Sequence, residues 1–204
     1  MDPTLVYALA LFLHVLGVLG LFAALTVEGI ALRGIRGSVT GDEARAWLGL
    51  LRLLRVVGPL SLLLILVPGL YLAATITAGG GWIAAGLIGF LAIGILGGAV
   101  TGRRMATVGP TLGRANGPLG DVEAKMTHDR PLTTSFIIRL ALALGIVWLM
   151  TVKPDFVPSL VVLGGSAILG LVASRAVSVG PIAAPAPAQS NAPRSLLGPK
   201  DGAS

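Results

Sequence analysis

A chain of 204 residues is long enough for one or two domains, but only 12% of its residues are charged, 54% are apolar and the mean hydropathy is +0.90. A water-soluble domain carries roughly one quarter charged residues, so so few charges cannot cover a water-facing surface and lipid must cover much of it. The net charge of +6 does not point to nucleic acid, because the basic residues stand between apolar runs and aromatics make up only 5%; the absence of cysteine excludes disulfides, thiolate metal sites, iron–sulfur clusters and lipidation at Cys.

The first apolar run covers residues 5–32 and follows Met1-Asp2-Pro3. It lacks a basic leading region, outruns the apolar stretch of a signal peptide and ends without a clear small-residue cleavage site, so it is expected to be a retained first span. After it, Thr40-Gly41-Asp42-Glu43 has capping-box spacing. A helix starting there sets Trp47, Leu50, Leu51 and Leu54 against Arg45, Arg52 and Arg55. It is expected to lie in the headgroup region and to turn into the second span, residues 56–76, near Gly58-Pro59. The linker 77–81 then forces an antiparallel hairpin with the third span, 82–101.

The loop after the third span carries Gly109-Pro110 and Gly117-Pro118 as turn signals, with one short polar helix over 119–129. Its glycines make no phosphate-binding loop, because no Gly-Lys-Ser/Thr follows. The fourth span, 133–152, is interrupted by Arg139. The connection Lys153-Pro154-Asp155-Phe156 returns the chain as a fifth span, 157–176. Each span meets the requirement of about 20 mostly apolar residues for a hydrocarbon layer of roughly 30 Å. Residues 177–204, with five prolines among Ala, Ser and Gly, read as a disordered tail. The expected fold is an all-α, polytopic transmembrane helix bundle of five spans over residues 1–176.

Orientation follows from Lys and Arg. The segments before span two, between spans three and four, and after span five hold 14 of the 15 basic residues if Arg139 in span four and Arg175 at the end of span five are counted with them. The other set holds only Lys153. The positive-inside rule then puts the N-terminus outside and the C-terminus in the cytoplasm. The same basic groups are expected to contact anionic lipid headgroups.

Three ionisable residues fall inside the spans, where each is costly and is therefore a candidate site. His14 lies about 13 Å along the first span, near the midplane. A neutral imidazole there needs a partner, and Pro68 frees the carbonyl of Leu64 at a matching depth, with Tyr71, Trp148 and Ser166 as further candidates. Glu28 and Arg139 enter from the basic side to similar depth with opposite sign, which suggests an ion pair; independent snorkelling is the competing reading. His14 and Glu28 share a helical face but stand about 21 Å apart, consistent with a proton path or with plain packing. Gly94, Gly98 and Gly102 recur every fourth residue, a spacing for close helix packing within the chain or across a homodimer seam.

The segments Leu13-His14-Val15-Leu16-Gly17 and Leu149-Met150-Thr151-Val152-Lys153-Pro154, with the Arg103-Arg104 pair, resemble an uncharacterised family of small bacterial integral membrane proteins that is itself similar to the copper-resistance-D-like membrane proteins. The resemblance spans about residues 5–154 and implies a core of four spans in a bacterial inner membrane, without an activity. The fifth span and the tail go beyond that pattern. Only His14 could offer copper a ligand at depth, and no Met cluster accompanies it.

With no catalytic motif, the expected role is a non-enzymatic accessory, scaffold or assembly component with a membrane-protein partner or a second copy. The alternatives are a small permease for protons or a metal ion using His14 and Glu28, and a redox subunit holding haem or quinone beside His14.

Overall fold

A computed structural model describes residues 2–75 and 80–176. Its elements are α1 (Pro3–Gly37), α2 (Gly41–Ala74), α3 (Gly81–Ile95), a π-helical segment (Leu96–Gly102), α4 (Arg103–Arg114), α5 (Asp121–Thr127), α6 (Arg130–Val152) and α7 (Phe156–Ala176). Among the described residues, five stretches are long and apolar enough to cross a membrane: Pro3–Gly37, Gly41–Ala74, Gly81–Arg114, Asp121–Val152 and Phe156–Arg175. The expected tail at 177–204 and residues 76–79 of the first short connection lie outside the described residues.

Local chemistry sets the helix ends. Asp2 caps α1 by accepting from the Thr4 N–H at 2.9 Å, with Pro3 in the first turn. Thr40 accepts from the Glu43 N–H at 3.3 Å while the Glu43 carboxylate accepts from the Val39 N–H at 2.9 Å. This is a capping box shifted by one residue on its return bond. Asp129 caps α6 through the Leu132 N–H at 3.2 Å. At the far end of α6, Lys153 takes a left-handed conformation, φ 52°, and Pro154 follows, so the helix cannot continue.

The helices form two groups. α1 and α2 pair along their length, and α3, α6 and α7 pack together, with α1 meeting α6. Leu21 and Leu25 of α1 join Ile93, Leu142, Leu149 and Leu163 in one core at the level of the spans. The outward face stays apolar: Leu19, Ile88, Leu91, Leu144, Val161 and Ile168 are all exposed, as a lipid-facing surface requires.

A second core lies at the basic end. Leu32 and Ile35 of α1, Ala44 and Leu48 of α2, and Met105 and Leu112 of α4 are buried there together. Helices of 34 or 35 residues are about 50 Å long, some 20 Å more than a hydrocarbon layer needs. The surplus of α1, α2 and α4 builds this cap. The chain 115–120 is fastened across it: Gly41 N–H donates to the Gly117 carbonyl at 2.9 Å, Leu119 N–H to the Val39 carbonyl at 3.0 Å, and Arg45 to the Ala115 carbonyl. At the opposite end the first turns of α3 and α7 meet, with Gly81 against the backbone of Phe156 and Lys153 over the Trp82 ring.

Three expectations are corrected here. The stretch 41–55 does not hinge into span two at Gly58-Pro59; α2 runs unbroken through Pro59 and Pro68. Its basic half is a wall of the cap, with Leu48 buried and Leu50 exposed. Gly34 accommodates Trp47, since a Cβ there would sit 2.2 Å from the indole. Gly109-Pro110 does not turn the chain either. α4 passes through it because Met105, Val108 and Leu112 hold one face of the helix in the cap, while Pro110 lies on the exposed face. Finally, Gly94, Gly98 and Gly102 pack against no other helix of this chain. A Cβ at Gly94 or Gly98 would meet nothing within 4 Å, and at Gly102 only the chain's own Gly97 carbonyl. The face that packs is Gly86, Gly89, Ile93 and Gly97, which abuts Met150, Ile146, Leu163 and Arg139.

Candidate functional site: a buried polar cluster at the π segment

Glu28 and Arg139 meet. Both side chains are buried, at 6% and 7% exposure, and an Arg139 Nη2–H donates to Glu28 Oε1 in a close ion pair. The pair joins α1 to α6. The π segment, packed on α6, supplies Thr101: the same Nη2 lies 3.2 Å from Thr101 Oγ1. Thr101 Oγ1 is 3.1 Å from Ser135 Oγ, and Ser135 donates to the Leu96 carbonyl at 3.2 Å. Arg139 Nε–H also donates to the Ser135 carbonyl at 3.3 Å.

These contacts have one consistent direction. Ser135 has a single hydroxyl proton, and it is committed to Leu96, so Thr101 must donate to Ser135 and accept from Arg139. The chain therefore runs Arg139 to Thr101 to Ser135 to the backbone of Leu96, and together with Glu28 it ties α1, α6 and the π segment. A π turn widens the helix and re-aims side chains, and such turns recur at functional positions. Here it sets Thr101 on the Arg139 side, with Gly97 beside the guanidinium, its Cβ position in ordinary contact at 3.5 Å from Nη1. Among the described residues, no buried side-chain nitrogen or oxygen lacks a partner.

The sequence reading found Glu28 and Arg139 but missed Thr101 and Ser135. Their signal was present: each is a hydroxyl within an apolar run, at a depth close to that of Arg139. What could not be read was the π turn, which alone decides that residue 101 faces residue 135.

His14 stands apart. It is half-buried, and its Nδ1 is 2.9 Å from the Ile65 carbonyl, so Nδ1 carries the proton and donates. The partner is Ile65 rather than Leu64. The ring slides beside Gly69, where a Cβ would approach Nδ1 to 3.0 Å, and α1 comes so close at Gly17 that a Cβ there would lie 2.8 Å from the Leu64 and Ile65 backbone. Tyr71 and Trp148 are turned outward, and Ser166 packs on Gly145. Among the described residues no group of three His, Asp or Glu is placed to share a metal ion.

No family model matches this chain, and neither a curated protein nor a solved structure matches it.

Proposed function

We propose that this chain is a non-catalytic, multi-pass protein of the bacterial inner membrane, an accessory or scaffold component that presents its basic cap to the cytoplasm. The observation that carries the reading is how the intramembrane polar groups are used. Glu28, Arg139, Thr101 and Ser135 are consumed in bonds between α1, α6 and the π segment, and His14 in a bond between α1 and α2. The Glu28 carboxylate is already bonded to the buried Arg139 guanidinium and holds α1 to α6. Such groups act as ties between helices.

The topology comes from the charge distribution. The helix ends at the cap carry Arg33, Arg36, Arg45, Arg52, Arg103 and Arg104, and the opposite end carries Lys153. The positive-inside rule assigns the cap to the cytoplasm and the N-terminus to the outside. The bacterial inner membrane rests on the family resemblance of residues 5–154.

A second reading rests on the free nitrogen of His14. With Nδ1–H donated to a backbone carbonyl, Nε2 offers a lone pair, the arrangement that orients metal-ligating imidazoles. A haem or quinone at that edge, shared with a second copy, would make the protein a redox subunit. Purified protein separates the two. The scaffold reading expects no Soret absorbance and no proton or divalent-metal flux into proteoliposomes above the protein-free rate. A Soret band abolished by His14→Ala would establish the redox reading, and flux lost in Glu28→Gln would establish a permease.

A further inference from the structure

We propose that the cleft between α4 and α5 is a binding site for the phosphate-bearing headgroup of an anionic membrane lipid. The cleft encloses about 300 Å³, with Val108 and Met126 among its apolar lining and Arg104, Thr107, Lys125 and Asp129 supplying its polar groups. It sits where spans leave the hydrocarbon. Arg103 and Arg104 follow directly on the apolar run 82–101, and Asp129 and Arg130 directly precede the run that starts at 133.

Positive charge accumulates there without an equal counter-charge. Asp129 is the one carboxylate lining the cleft, and it is already engaged: Oδ1 caps α6 through Leu132, and Oδ2 stands 3.7 Å from Arg104. Arg36 of α1 stands within electrostatic reach of Arg130 and Asp129, although neither arginine lines the cleft. Burial, and next the charge of Arg130, pull the Arg36 guanidinium below its ordinary pKa, with Asp129 only partly offsetting them. A phosphate lodged beside Arg104 and Lys125 supplies a counter-charge to the cleft's own two cations and gains charge-assisted hydrogen bonds. Asp121 faces an adjoining opening that shares only Lys125 with the cleft, and neither acid of α5, Asp121 or Glu123, lines the cleft itself.

The lining selects a lipid over a free anion. Val108 and Met126 give the cleft apolar wall, and Val122, exposed at 60%, extends that surface outward. A glycerol backbone and the start of an acyl chain can cover such a surface, whereas inorganic phosphate cannot. The inference rests on the membrane reading above, and the two fail differently. A chain that does not belong in a bilayer stays monodisperse without detergent. A membrane protein without this site stays in detergent but shows no headgroup preference.

The test is native mass spectrometry of the full chain in detergent with equimolar phosphatidylglycerol and phosphatidylcholine of matched acyl chains. The wild type retains phosphatidylglycerol selectively. Arg104→Gln with Lys125→Gln lowers that preference by about tenfold or more, whereas Arg52→Gln with Arg55→Gln, exposed on α2, changes it by less than about twofold. Lys125→Gln alone removes an exposed cation outside every ion pair found and shifts the preference in the same direction by about fivefold, which keeps the test decisive if the double variant fails to fold. Equal loss in the α2 and cleft variants means diffuse attraction and overturns the site. Displacement of the lipid by millimolar inorganic phosphate, which then binds in its place, overturns the lipid as ligand.

Discussion

Arg139 shows how one residue can both endanger and organise a helix bundle. A lone guanidinium in lipid is costly, and the cost is met by Glu28, Thr101 and the Ser135 carbonyl. Removing one member of a buried pair leaves the other charged and unpartnered, a loss of about 3–5 kcal/mol. Glu28→Gln is therefore expected to destabilise the protein by about that amount in detergent-based unfolding. The double change with Arg139→Gln recovers most of the loss, and simple additivity would show that the two side chains do not interact. Residue spacing and sign were enough to nominate this pair. They could not nominate Thr101, because its direction depends on a π turn for which the sequence carries no periodic signature.

At the scale of elements, glycine positions decide which faces touch. Gly17 lets α1 lie on the backbone of Leu64 and Ile65, and that approach delivers His14 to its carbonyl. Backbone cannot move aside as a side chain can, so Gly17→Ala is expected to cost about 1–3 kcal/mol by overpacking. Gly94→Ala adds a methyl to open space and is expected to be neutral or to stabilise by up to about 1 kcal/mol, since alanine is the better helix former. Thermal unfolding of the two variants in one detergent checks both. A stability drop for Gly94→Ala that grows with protein concentration would instead show that a second chain covers this face. The four-residue glycine spacing was legible, but its meaning was not: α3 and the π segment turn Gly86, Gly89 and Gly97 inward and leave Gly94 and Gly98 outward.

At the scale of the molecule, the helices are longer than a bilayer is thick, and the excess is gathered at one end. The basic stretch of α2, which its amphipathic pattern suggests should lie flat among headgroups, stands upright against α1 and α4. The upright arrangement buries Leu48 and leaves Leu50 exposed, and α4 supplies the partner it packs against. A chain without cysteine makes orientation simple to measure. With the cap in the cytoplasm, Asp155→Cys is labelled by an impermeant maleimide in intact cells, and Lys125→Cys only after permeabilisation. The reverse pattern would invert the proposed topology.

Composition and hydropathy by themselves determined the helical class, the number of apolar crossings and the segregation of charge, because the cost of exposing polar backbone in lipid leaves a chain of this composition few other forms. The sign and depth of Glu28 and Arg139 determined that they were suitable partners. Tertiary structure alone decided the cap, the π turn that aims Thr101 at Ser135, the exchange of Leu64 for Ile65 as the partner of His14, and the outward turn of Gly94 and Gly98. Each of these depends on which helix lies beside which, and the apolar residues that settle it look alike along the chain.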